Sequence, residues 1–150
     1  LINSFYNFIP TNNESKITLR ALRRMEKKIN TREVRIMLEE FISRSFMPNQ
    51  VDNEFKSIFN INSKQINLKL LLKDFQQLYL QKSTFNLFSK YAEVLIIQSK
   101  NDFILKEYAS SELIDLLNNF QVNKPKVVQI KNQGHLMDNN CILKTLKDWL

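Results

Sequence analysis

The sequence predicts a mixed α/β protein, helical in its first half and alternating between strand and helix in its second half. Three observations support this class. Apolar residues recur at helical spacing through residues 16–81. The run Val-Leu-Ile-Ile at residues 94–97 is typical of a strand buried on both faces. From there to the end of the chain the pattern reads strand, helix, strand, helix, which is typical of a parallel sheet with crossover helices.

The chain opens with a short apolar and aromatic segment, residues 1–10, which ends at a proline. Its first residues, Leu-Ile-Asn-Ser, are predicted to be the tail of a strand, and residues 11–15 a polar turn. Helices are predicted over residues 16–30, 32–46, 51–59 and 63–81, with Pro48 ending the second. Residues 11–82 are therefore predicted to form one helical region.

The first of these helices has one strongly basic face. Between residues 16 and 35 there are eight Lys and Arg residues against two Glu, in a chain whose net charge is +7. At helical spacing, the side chains of Arg20, Arg23, Arg24 and Lys27 share one arc, opposite the apolar arc of Leu22, Met25 and Ile29. This pattern is typical either of a solvated helix face or of a docking patch for an anionic partner.

The second half of the chain, residues 83–150, is predicted to contain the parallel sheet. A connector over residues 83–91 leads into a strand over 93–98 and a loop over 99–102. A helix is predicted to start at a cap, Ser110 or Ser111, and to end near residue 120. A second strand over 127–130, a loop over 131–140 and a final helix over 141–150 complete the chain.

Several classes of function are excluded by composition. The chain has 150 residues but one Gly, one Cys and one His, so it cannot contain a glycine-rich phosphate loop, an internal disulfide or a clustered Cys/His zinc site. We therefore expect no cofactor. Apolar runs stay below the roughly 18 residues that span a membrane, and no signal peptide is recognisable. A cytoplasmic protein with no membrane partner is the resulting expectation.

Two residues are candidates for chemistry because each follows a predicted strand. Asp102 comes after the first strand and His135 after the second. Parallel strands end at the same edge of a sheet, where catalytic groups gather, so both side chains are predicted to lie together. A carboxylate that accepts from one imidazole nitrogen leaves the other nitrogen as a base. The simpler alternatives are a surface histidine and an aspartate that caps a turn.

Residues 93–150 resemble the C-terminal end of an α/β-hydrolase. The family pattern is a strand, a Gly-x-x-Asp loop, a helix, a strand, Gly-His and a closing helix. Here Ser99-Lys100-Asn101-Asp102 and Gly134-His135 occupy those positions, with Ser99 in place of the usual glycine. The resemblance implies that residues 1–10 end a core strand, 11–82 form a helical cap (lid), and 83–150 form the C-terminal part of the α/β core.

The same resemblance implies an incomplete enzyme. A Gly-x-Ser-x-Gly nucleophile elbow cannot occur in a chain whose single glycine is Gly134, and the oxyanion-hole loop is missing too. In the family both precede the cap, so we expect the chain to be a C-terminal fragment that is inactive alone. In the complete enzyme, Asp102 would orient His135, which would activate the serine.

Within the family, the chain resembles the esterases of biotin synthesis that act on pimeloyl-acyl-carrier-protein methyl ester. The resemblance rests on Leu-Arg-Ala-Leu-Arg-Arg-Met at residues 19–25 and Phe-Ile-Ser-Arg-Ser-Phe at 41–46. It implies an acyl ester substrate and, because acyl carrier protein is acidic, contact with the basic face. The alternatives are a generic carboxylesterase or thioesterase, and a non-catalytic interaction remnant. Nucleic-acid binding is not expected, because no recognition-helix signature or aromatic–basic interleaving occurs.

Overall fold

A computed structural model describes residues 1–9, 15–31, 33–62, 65–80, 89–105 and 107–150. The predicted polar turn over residues 11–15, most of the connector over 83–91 and the domain boundaries at 10–11 and 82–83 lie outside the described residues. In chain order, the described residues form α1 (Ser15–Asn30), α2 (Val34–Phe46), α3 (Asn53–Asn62), α4 (Leu68–Leu80), β1 (Leu95–Ser99), α5 (Glu107–Phe120), β2 (Lys126–Ile130) and α6 (Asn139–Lys147).

The chain divides into two compact units. Unit 1 contains Leu1–Phe8, Arg44–Asn49 and Lys82–Leu150, and unit 2 contains Ile9–Ser43 and Gln50–Gln81. The sequence placed residues 44–49 within the helical region, so the division found here differs at that segment. Residues 44–49 belong to unit 1 because they contact the second half of the chain. The Leu136 N–H donates to the Ser45 carbonyl oxygen over 2.9 Å.

Unit 1 is built on a two-stranded parallel sheet. β1 and β2 pair in parallel, in a register that runs from Leu95 opposite Lys126 to Ser99 opposite Ile130. α5 is the crossover connection between them, as the predicted strand–helix–strand pattern requires. The described residues therefore confirm a mixed α/β class with a small parallel sheet.

The start of the chain lies along the other edge of β1. Ile2 forms an isolated parallel bridge with Ile97. The Asn3 N–H donates to the Ile97 carbonyl oxygen over 2.9 Å, and the Ile97 N–H donates to the Leu1 carbonyl oxygen over 2.8 Å. The predicted strand tail is confirmed as a short bridge, and β1 is consequently flanked on both sides by parallel backbone.

The core of unit 1 lies between β1 and α5. Residues 95–98 of β1 are all buried, which confirms the prediction of a strand covered on both faces. Val94 and Ile96 form one apolar cluster with Leu113 and Leu117 of α5. Burying four such side chains removes enough apolar surface from water to stabilise the pairing of strand and helix by several kcal/mol, at about 1.5–3 kcal/mol each.

Unit 2 is helical, and α1 packs against α4 within it. Leu22 and Ile29 of α1 are buried, as are Met37 of α2 and Phe75 of α4. Met25, predicted on the same apolar arc, is only partly buried. Polar contacts of Glu26 add to the α1–α4 packing, because its carboxylate accepts from the Gln76 amide and the Tyr79 hydroxyl.

Local side-chain contacts determine where several helices begin. Asp52 and Asn67 accept from backbone N–H groups in the first turns of α3 and α4, and Asp138 caps α6. The prediction of a cap at Ser110 or Ser111 for α5 is wrong, because that helix includes both serines and begins at Glu107. The Ser111 hydroxyl instead donates back to the Glu107 carbonyl oxygen, a bond that serines form inside helices. None of the helices in the described residues has the length and apolar character needed to cross a bilayer.

Candidate active site

Asp102 and His135 meet at the carboxyl edge of the sheet. Asp102 lies just past the end of β1, and His135 lies past the end of β2, so the parallel register brings their two loops side by side. The distance from His135 Nδ1 to Asp102 Oδ2 is 2.8 Å. The expected hydrogen bond is thereby confirmed, whereas the catalytic role of the pair stays a prediction.

The Asp102 carboxylate is held on its other side by backbone. Its side chain is only 8% exposed. Oδ1 accepts from the N–H groups of Ile104 at 2.7 Å and Leu105 at 2.8 Å. The two interpretations of this residue are therefore compatible, since one oxygen caps the turn and the other faces the imidazole. Three hydrogen bonds leave the carboxylate little rotational freedom, so Oδ2 has a defined direction towards His135.

The His135 ring has one occupied and one available nitrogen. Nδ1 is opposite a carboxylate oxygen, which can only accept, so the neutral ring carries its proton on Nδ1. Within the described part of the chain, Nε2 has no hydrogen-bond partner. The ring is 23% exposed. Within those residues the lone pair of Nε2 is therefore not engaged in a hydrogen bond.

Gly134 allows the histidine loop to approach the segment Arg44–Asn49 of the same unit. A Cβ built at Gly134 would lie 2.8 Å from the Phe46 carbonyl carbon and closer still to the carbonyl oxygens of Ser45 and Met47. Gly134 does not have a positive φ, so the requirement is for space and not for an unusual backbone angle. The single glycine of the chain stands where backbone contacts backbone directly before His135.

Further hydrogen bonds join the two loops that carry the dyad, the pair formed by Asp102 and His135. The Lys100 N–H donates to the Ile130 carbonyl oxygen over 2.9 Å. The Ser99 hydroxyl donates to the Gln133 carbonyl oxygen and accepts from the Asn101 N–H. The Ser99 hydroxyl therefore links the β1 loop to the β2 loop.

Asn3 also belongs to the site, although the sequence pattern did not indicate it. Its buried side chain lies between the two loops, bonded to Ser99 on one and to Gly134 and His135 on the other. The available signal was an asparagine at the end of a predicted strand, since asparagine tolerates the left-handed backbone found here, with φ at 40°. Its hydrogen bonds join residues far apart in the chain, so a periodic sequence pattern does not predict them.

The basic residues predicted for a partner lie on unit 2. Arg20, Arg23, Arg24 and Lys27 are all exposed on α1. In the described ranges none of them forms an ion pair with an acidic side chain, whereas Lys28 on the same helix pairs with Glu40. Among the described residues, no acidic side chain therefore pairs with the exposed positive charge of the predicted arc.

The described residues contain no group of three or more His, Cys, Asp or Glu side chains that could hold a metal ion.

Comparison of the chain with models of protein families, with curated proteins and with solved structures finds no match. The geometry of the Asp102–His135 pair is therefore the principal observation on which a functional interpretation depends.

Proposed function

We propose that this chain carries the acid and the base of an α/β-hydrolase esterase that acts on an acyl ester. The observation that carries the proposal is the 2.8 Å hydrogen bond between Asp102 and His135, on loops that follow neighbouring parallel strands. Hydrolases of this family have their acid and histidine in this chain order. The helical residues between Ile2 and β1 then correspond to the cap.

The proposed chemistry is nucleophilic attack by a serine on the ester carbonyl. His135 Nε2 accepts the serine proton and later returns a proton to the leaving alcohol. Asp102 holds the ring through Nδ1 and stabilises the positive charge that develops on it. No Gly-x-Ser-x-Gly sequence occurs in these 150 residues, so the proposal requires a serine that is supplied from outside them.

The proposed substrate is pimeloyl-acyl-carrier-protein methyl ester, and its support is electrostatic. Four exposed cations lie on the same face of α1. Several of them can therefore contact one acidic surface at the same time. Acyl carrier protein supplies such a surface, and a free ester does not. The alternative within the same chemistry is a generic carboxylesterase or thioesterase, in which the basic arc is only solvated.

The first experiment asks whether the dyad selects one imidazole tautomer. His135 is the single histidine, so its ring nitrogens can be assigned without ambiguity in ¹⁵N NMR spectra of the 150-residue chain. The neutral ring is expected to carry its proton on Nδ1. In Asp102→Asn, a side-chain N–H that faces Nδ1 should move the ring proton to Nε2. An unchanged tautomer in that variant would mean that Asp102 does not control the ring.

The second experiment measures esterase activity. The 150-residue chain alone is expected to leave p-nitrophenyl butyrate intact. In a polypeptide that also supplies the serine, Asp102→Asn and His135→Ala should lower kcat by about 10³–10⁴-fold. Asp138→Asn is the matched control, because Asp138 lies in the same loop and asparagine can keep its cap on Asn140. Full activity of His135→Ala would overturn the proposal.

A further inference from the structure

We propose that Asn3 is a positioning residue that sets the spacing between the Asp102 loop and the His135 loop. This inference rests on the proposed function, because it assigns Asn3 a role in the same dyad. In the described residues the Asn3 side chain forms its hydrogen bonds with backbone groups of Ser99, Gly134 and His135, and not with the Asp102 carboxylate or the imidazole ring.

The Asn3 side chain uses its acceptor on one loop and its donor on the other. Oδ1 accepts from the Ser99 N–H at 2.8 Å, at the end of β1. Nδ2 donates to the carbonyl oxygen of His135 at 2.5 Å and to that of Gly134 at 3.3 Å. Asn3 as a whole residue is 8% exposed, so water is a poor substitute for these partners. Only a side chain with both a donor and an acceptor can satisfy the two loops simultaneously.

The backbone places this amide between the loops. The Asn3 N–H donates to Ile97 in β1, which anchors the residue at the edge of the sheet. Its φ of 40° lies in the left-handed region, which asparagine enters more readily than most residues and glycine most readily of all. The anchor and the backbone angle together direct the side chain across the end of β1 towards the histidine loop.

The consequence concerns the orientation of the ring. The bonded carbonyl belongs to His135 itself, so a displaced carbonyl also displaces the Cα from which the imidazole projects. Contacts of Ser99 and Lys100 also join the two loops, so the loops should stay close without Asn3. Loss of the Asn3 side chain is therefore expected to loosen the hydrogen bond between His135 Nδ1 and Asp102 while the unit remains folded.

Asn3→Gly is the appropriate variant because it removes the amide without penalising the backbone angle. In the 150-residue chain, exchange of the His135 Nδ1 proton with water should become about tenfold faster, which corresponds to about 1.4 kcal/mol. Asn3→Asp should have a larger effect, since it keeps the acceptor for Ser99 but turns a carboxylate oxygen towards two carbonyl oxygens.

Asn7→Ala is the matched control. Asn7 is an equally buried asparagine of the same segment, 7% exposed, but it donates to the Glu112 carboxylate of α5 and not to the dyad loops. It should lower Tm while leaving the Nδ1 proton exchange within about twofold of the original chain. Equal acceleration in Asn3→Gly and Asn7→Ala at equal loss of Tm would overturn the positioning role, as would unchanged exchange in Asn3→Gly.

These results are independent of turnover. If His135→Ala keeps full activity, the proposed function fails whatever the exchange measurement gives. If the exchange rate is insensitive to Asn3 while the dyad variants lose activity, only the positioning role fails. In a polypeptide that supplies the serine, Asn3→Gly should lower kcat with little change in KM, because Asn3 acts through the backbone of the loops and through the orientation of the ring.

Discussion

Adding one methyl group at Gly134 should destabilise unit 1. In Gly134→Ala the new Cβ would collide with three backbone atoms, the carbonyl oxygens of Ser45 and Met47 and the carbonyl carbon of Phe46. The backbone angle adds no further penalty, since φ at Gly134 is not positive. The chain must therefore separate the histidine loop from the segment Arg44–Asn49.

The magnitude follows from what has to move. Overpacking a tight site costs about 1–3 kcal/mol when side chains can adjust. Here the colliding atoms are backbone, so we expect about 3 kcal/mol, the upper end of that range. For a chain of this size, 1 kcal/mol changes Tm by about 2–4 °C, so Tm should fall by about 6–12 °C.

Fluorescence of Trp149 is a suitable probe, because it is the single tryptophan and lies in unit 1. Its thermal transition should shift in Gly134→Ala. The double variant with Met47→Ala should show no rescue, because shortening that side chain leaves the colliding carbonyl oxygen in place. Recovery of Tm in the double variant, or a shift below about 2 °C in the single one, would refute the reasoning.

Two further predictions concern unit 2. Burial, and then the charge and hydrogen bond of Glu26, raise the pKa of Tyr79 above its usual value of 10.0. In an ultraviolet titration, read as the difference between the original chain and Tyr79→Phe, its phenol should therefore ionise above pH 10.0. The stability that the neutral phenol supplies should be lost as pH rises through that raised pKa. Glu26→Gln should reverse the rise only in part, because burial is the larger cause. In a polypeptide that also supplies the serine, charge reversal at Arg20 and Arg24 should lower kcat/KM on carrier-linked esters about fivefold at low salt and little at 1 M salt, where the Debye length is about 3 Å. The same variants should hydrolyse free esters with unchanged kcat/KM, and the control Lys56→Glu on α3 should leave kcat/KM on both substrates unchanged. Equal losses of kcat/KM on both substrates would mean that the arginines are structural.

The parts of the fold that have a repeating pattern could be predicted from sequence. Helical spacing of Leu22 and Ile29 identified α1, and four consecutive apolar residues identified the doubly buried β1. The position of the dyad followed from one rule, that parallel strands end at a shared edge. The order of strands and loops along the chain was therefore sufficient to predict that Asp102 and His135 lie together.

Contacts without a period could not be predicted in this way. The Asn3 amide binds backbone about 130 positions away, and the Ser45 carbonyl accepts from Leu136. Such hydrogen bonds depend on how segments distant in the sequence pack together, and a local sequence pattern does not contain that information. The start of α5 was missed for a different reason, because a serine hydroxyl can cap a helix or donate within it, and Ser111 does the latter.

The two interpretations of Asp102 illustrate why local and functional signals are hard to separate. A short carboxylate that follows a strand can cap the next turn through one oxygen, and here Oδ1 does so with Ile104 and Leu105. That cap determines the direction of Oδ2, which is the oxygen that reaches His135. A glutamate is one methylene longer, so its carboxylate could not keep one oxygen on both N–H groups while the other reached His135 from the same place. The turn and the dyad therefore require the same residue type, and the capping bonds orient the carboxylate towards the ring.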